Sequence, residues 1–142
     1  MRALRLILLT ILFGLVAGAA RAELVVVVDA KAGIDQLSRD EVINIFLGRY
    51  RKLPSGIAAI PVDQTASTES RALFYRRLVD KGLSEINAYW ARLHFSGKTT
   101  PPAQVSSAAE VIAHVVFTPG GIGYIERSQA DSRVKIVMVL AP

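Results

Sequence analysis

Residues 62–75 read V-D-Q-T-A-S-T-E-S-R-A-L-F-Y. A carboxylate (Asp63), four hydroxyls (Thr65, Ser67, Thr68, Ser70) and a guanidinium (Arg71) crowd into the point where a strand gives way to an apolar helical pattern. A helix N-terminus carries unpaired backbone N–H groups and about half a positive charge. Hydroxyls there add donors, and Arg71 adds a charge-assisted, bidentate contact. Such a set suits phosphate, sulfate or a carboxylate. Asp63 then has two roles open to it, orienting Arg71 or accepting from a protonated oxyanion. The same letters also write an ordinary helix start, with Ser67 or Thr68 as N-cap and Arg71 in solvent. Local pattern leaves both readings standing.

Catalytic readings find little to hold. Neither His94 nor His114 is followed by a His, Asp or Glu three or four residues on, one spacing that sets a metal pair on one helix face. There is no Gly-x-Ser-x-Gly elbow. Gly97-Lys98-Thr99 lacks the earlier glycine and the preceding strand of a P-loop. With no Cys in the chain, disulfides, thiol nucleophiles and thiolate metal sites are all excluded. The expectation is a protein that is not an enzyme, with no catalytic residue, no metal and no cofactor.

The first residues point to a compartment. Arg2 and Arg5 precede an apolar run over residues 6–20, and Ala20-Arg21-Ala22 fits the small-x-small rule for signal peptidase. The run is short of the ~20 residues that span a bilayer comfortably. A signal peptide over 1–22, cleaved after Ala22, and an exported domain over 23–142 are therefore expected. Lipid anchoring through Cys is excluded. From residue 23 the chain has 14 Lys and Arg against 12 Asp and Glu, too mild an excess to argue for nucleic acid as a partner. The length suits one domain.

The elements that must position the polar stretch are legible in outline. Leu24–Asp29 is a β-branched run, predicted as a strand buried on both faces. Ser38 followed by Glu41 is a capping box that opens a helix over about 39–47. A strand is predicted over 57–62 and a helix over 68–79. Ser84 is predicted to cap a third helix carrying Ile86, Tyr89 and Trp90. Ser107 and Glu110 write a second capping box and a fourth helix. Strands follow at 122–126 and 134–140. The order β-α-β-α-α-α-β-β predicts a mainly parallel sheet flanked by helices.

Three stretches together resemble the periplasmic phosphate-binding receptor family. They are Leu37-Ser38-Arg39-Asp40-Glu41 running to Ile45-Phe46-Leu47-Gly48-Arg49, the stretch from Asp63 to Arg71, and Phe117-Thr118-Pro119-Gly120-Gly121-Ile122-Gly123-Tyr124-Ile125. Tyr89-Trp90-Ala91-Arg92 and Gly97-Lys98-Thr99-Thr100-Pro101-Pro102 resemble a short, single-lobe branch of it. The resemblance implies an α/β, periplasmic-binding-protein-like lobe that binds phosphate or a similar oxyanion, often feeding an ABC importer. It puts Asp63, Thr65, Ser67, Thr68, Ser70 and Arg71 at the anion loop. Two departures bear on that implication. The family's Asp-Gly-Ser-Gly-Thr is replaced here by a glycine-poor loop carrying Glu69. The length is that of one lobe where these receptors clamp ligand between two.

Two functions follow. The first is a receptor for a small oxyanion, phosphate foremost, that serves uptake or sensing; a homodimer would supply the missing half of the cleft. The second is an interaction module that has lost its anion and docks on a membrane transporter or sensor protein. Arg49-Tyr50-Arg51-Lys52 and Arg76-Arg77 are ordinary solvated charge or a patch for an acidic partner.

Overall fold

The computed structural model describes residues 22–142. The signal peptide expected over 1–22 lies outside the described residues, except for Ala22. The elements run β1 (Leu24–Asp29), α1 (Arg39–Phe46), β2 (Ile60–Gln64), α2 (Glu69–Val79), α3 (Leu83–Phe95), β3 (Ala103–Val105), α4 (Ala108–Phe117), β4 (Gly121–Glu126) and β5 (Val134–Leu140), with one 3-10 turn at Arg127–Gln129. The five strands form one sheet in the order β3-β2-β4-β1-β5.

Four strands run the same way. β2 pairs in parallel with β3 and with β4. β1 runs against its two neighbours, β4 and β5. The mainly parallel sheet is therefore as predicted, with one reversed strand, β1, between β4 and the edge strand β5 that periodicity does not announce. β1 alternates its side chains between two layers. Leu24, Val26 and Val28 pack with α1, α2 and α3; Val25 and Val27 pack with α4. All five are fully buried, each contributing about 1.5–3 kcal/mol. Among the described residues, the cores of both layers lie between Leu24 and Leu140.

The caps show how the helices are started. Ser38 accepts from the Glu41 N–H while the Glu41 carboxylate takes the Ser38 N–H, the full box. Ser107 accepts from the Glu110 N–H, but the Glu110 carboxylate bonds to Ser106 instead, so the second box is half formed. α3 starts two residues earlier than expected, with Gly82 rather than Ser84 at its N-cap. β2 begins at Ile60 and carries Asp63 and Gln64 inside the strand. β3 is an element that the sequence reading lacked: three residues held by their pairing with Val62, Asp63 and Gln64.

A candidate anion site at the carboxyl edge of the sheet

From β2 the chain leaves through α2 and α3 in one layer; from β3 it leaves through α4 in the other. The two connections diverge where β2 and β3 lie side by side. A crevice outside the carboxyl ends of strands at such a divergence is the general location of ligand sites in open α/β sheets. Here the Thr65 N–H donates to the Val105 carbonyl at 3.0 Å, joining the loop that feeds α2 to the loop that feeds α4. The predicted polar stretch therefore lies at the switch point of the sheet.

The two neighbouring helix starts differ. α4 is closed by its own residues: Ser107 caps it, and the Glu110 carboxylate accepts from Ser106 N–H at 2.8 Å and lies 3.2 Å from its hydroxyl. At α2, Thr68 occupies the N-cap position with extended backbone, yet no side chain caps the helix. The Thr68 hydroxyl instead donates back to the Thr65 carbonyl at 2.9 Å. The Thr65 and Ser67 hydroxyls are 2.8 Å apart on the outer side of the loop. Ser67 and Glu69 are exposed, while Thr65, Thr68 and Ser70 are half-buried. The first turn of α2 thus has no side-chain cap, follows directly on the Thr65 and Ser67 hydroxyls, and carries the Glu69 carboxylate.

Asp63 and Arg71 are elsewhere. Both are buried, 2% and 3% exposed, and they form an ion pair at 3.3 Å. Each Asp63 oxygen receives two donors. Oδ1 accepts from the Tyr124 hydroxyl at 2.5 Å and the Gln64 N–H at 2.7 Å. Oδ2 accepts from the Tyr75 hydroxyl at 2.6 Å and Arg71 Nε at 3.3 Å. A carboxylate offers about four lone-pair positions, and this one has them filled. The Arg71 guanidinium lies over the Tyr75 ring, 5.5 Å from its centroid, and reaches Asn87 Oδ1 at 3.4 Å. Helical spacing accounts for it: Arg71 and Tyr75 are one turn apart on the side of α2 that faces β2.

Gln64, Tyr75, Asn87 and Tyr124 were missed as members of this cluster. Tyr75 and Tyr124 are fully buried, and a buried phenol needs a partner for its hydroxyl, which is the signal that points to Asp63. Burial first, and then the Asp63 charge, push both phenols far above the usual tyrosine pKa. The Tyr124 ring stacks on Phe74 at 3.8 Å, and Phe46 meets both rings edge-on. The family-like Gly-Ile-Gly-Tyr run thus delivers Tyr124 to Asp63, and its glycines make room. A Cβ on Gly123 would be 2.6 Å from a Val111 methyl.

Solved structures share the fold. An ABC-type phosphate transport receptor from Vibrio cholerae superimposes with a TM-score of 0.64 at 18% identity, covering 82% of this chain and 46% of that one. A protein from Clostridium perfringens, described as a phosphate ABC transporter substrate-binding protein with bound phosphate, gives 0.65 at 16%, covering 82% and 45%. PstS from Borrelia burgdorferi gives 0.61 at 17%, covering 82% and 47%. The chain has the fold of the phosphate transport receptors. It spans a little under half the length of each, as a single lobe of such a receptor would. No protein-family model matches the chain, and no curated protein sequence matches it. In this receptor-like lobe, the expected anion loop is one exposed, uncapped helix start above a closed and charge-balanced core pair.

Proposed function

We propose that the protein is a non-enzymatic receptor lobe, exported to the periplasm by the leader over 1–22, that takes phosphate or a similar small oxyanion at the N-terminus of α2. The observation that carries this reading is the uncapped start of α2 at the switch point, where the neighbouring α4 start is closed. The amides of the first turn and the hydroxyls of Thr65, Ser67 and Ser70 are the direct donors. Thr68 joins them by releasing the Thr65 carbonyl. Asp63 and Arg71 act from below: their ion pair holds the end of β2 against α2, and so fixes the angle at which the helix presents its amides. The bound phosphate of the Clostridium perfringens protein, on the same fold, supports the choice of anion.

The test is calorimetric titration of the chain from Glu23 with phosphate, with sulfate as comparison. Saturable heat that Ser67→Ala and Ser70→Ala together reduce about tenfold or more, by removing two hydrogen bonds to a charged group, supports the reading. No heat at millimolar phosphate sinks it.

One observation favours a second reading. Every acceptor position of Asp63 is filled from within the chain, so the core pair has nothing left to offer a protonated oxyanion. A lobe of this kind serves as an interaction module docking on a membrane transporter or sensor protein, or on a second copy of itself. Size-exclusion chromatography with and without phosphate separates these outcomes, since a clamp made of two lobes dimerises only when the anion is present.

A further inference from the structure

At the opposite end of the sheet, three loops lead into the amino ends of β2, β3 and β4: residues 48–59, 96–102 and 118–120. They are tied together. Ala59 N–H donates to the Arg51 carbonyl, Ile60 N–H to the Gly120 carbonyl, and Arg51 Nη2 to the Lys98 carbonyl. The surface they form has two features that the anion site does not use.

The first is charge. Arg49, Arg51, Lys52 and Lys98 lie on these loops and Lys31 beside them, all exposed, and none is in an ion pair among the described residues. The loops themselves contain no Asp or Glu. Of the nearby carboxylates, Asp35 and Asp131 pair with Lys135 and Arg133, while Asp29 and Glu41, at the margin beside Lys31 and Lys52, each accept a backbone N–H and keep their charge. The cation excess of residues 23–142 is small, so gathering five free cations here leaves the rest of the molecule net negative.

The second feature is apolar. Phe95 and Phe117 are 90% and 84% exposed at the last turns of α3 and α4, and Tyr50 and Ile57 stand out from the hairpin between them. Tyr50 and Ile57 share one loop, Ile57 and Phe117 line one groove, and Phe95 ends α3.

We propose that this end of the molecule docks on the surface of an anionic lipid bilayer. The free cations meet the headgroup charge, and Phe95, Phe117, Tyr50 and Ile57 enter the boundary between headgroups and acyl chains. No helix of the described residues is long and apolar enough to cross a membrane, so the attachment is peripheral. Protruding aromatics interleaved with cations suit a fluid surface that closes around each tip; an acidic protein would need a matching cavity for every one. Because this end lies across the sheet from the α2 start, a docked molecule presents its anion site away from the bilayer.

The test is co-sedimentation of the chain from Glu23, which lacks the apolar leader, with vesicles of phosphatidylcholine alone and of phosphatidylcholine with 30 mol % phosphatidylglycerol as an arbitrary, roughly physiological charge density. Binding is expected only to the anionic vesicles, weakening as salt is raised. Each cation contributes about fivefold in affinity, so Arg51→Gln, Lys52→Gln and Lys98→Gln together should cut binding on the order of a hundredfold. Phe95→Ser with Phe117→Ser should lower it at unchanged vesicle charge. All five side chains are exposed, and thermal melts check that the variants remain folded. Equal pelleting with both vesicle types, or none with either, overturns the proposal. So does a concentration-dependent dimer in sedimentation velocity that Phe117→Ser dissolves while no lipid is bound, which would assign this end to a second copy.

Discussion

Tyr124 donates to Asp63 at 2.5 Å across the boundary between β4 and β2, joining residues 61 positions apart. With Tyr75 and Gln64 on the same carboxylate and Arg71 as its counter-charge, this bond makes the polar centre of the molecule a closed unit. Its behaviour on mutation separates a structural unit from a ligand clamp.

Asp63→Asn keeps the shape and removes the charge, leaving the Arg71 guanidinium buried without compensation. Breaking a buried pair from one side costs about 3–5 kcal/mol. Urea denaturation should show that loss. A loss under about 1 kcal/mol would mean that water reaches the pair.

Tyr75→Phe and Tyr124→Phe each delete one hydrogen bond to an ionised group, worth about 1.5–3 kcal/mol. The two share one acceptor, so the double variant should depart from the sum of the singles. Additive losses in a double-mutant cycle would count against a single cooperative cluster.

The same two phenols set an alkaline limit. Burial and the Asp63 charge keep them protonated in the folded protein far above their unfolded pKa. The unfolded chain therefore binds fewer protons than the folded one once the pH passes about 10. Stability is complete below that point and falls above it, by up to about 1.4 kcal/mol per pH unit for each tyrosine. Melting temperatures between pH 8 and pH 12, spanning the tyrosine range, should bend downward near pH 10, less steeply in Tyr75→Phe.

Gly120 and Gly33 form a matched pair of controls, with φ of +79° and +72°. A Cβ at Gly120 would be 1.9 Å from the Ala58 carbonyl oxygen; at Gly33 it meets nothing within 4 Å. Gly33→Ala should cost only the left-handed penalty of about 1–2 kcal/mol. Gly120→Ala adds a backbone clash and should cost about 3 kcal/mol or more. Equal losses in chemical denaturation would show that the turn carrying Gly120 moves aside freely.

Glu69→Gln addresses the anion site directly. The carboxylate sits on the first turn of α2, where it favours the helix dipole and repels an incoming oxyanion. Its removal should raise phosphate affinity about fivefold while costing the helix less than about 1 kcal/mol. Unchanged affinity by calorimetry would place the anion elsewhere.

What the sequence discloses is what its neighbours decide. Ser38 and Ser107 act within three residues, and both were legible as caps. β1 was legible as buried on both faces because its apolar run is uninterrupted. Its direction was not, since a strand's polarity relative to its partners is settled by residues 122–126 and 134–140. β3 had no signal: Ala103-Gln104-Val105 is a strand only because β2 lies beside it. Asp63 and Arg71 carried the sharpest local signal for a ligand. Their true neighbours are Tyr75, one turn along α2, and Tyr124, which nothing local connects to them.

The reversed strand β1 has a consequence for how the chain reaches its fold. β1 comes first in the sequence, and both of its partners, β4 and β5, come last. The middle of the sheet therefore cannot close until almost the whole chain is available, and the loop that must be closed is nearly as long as the domain. Contacts this distant in sequence slow folding. A protein built around such a strand stays threadable through a narrow pore for as long as its C-terminal third is still being made.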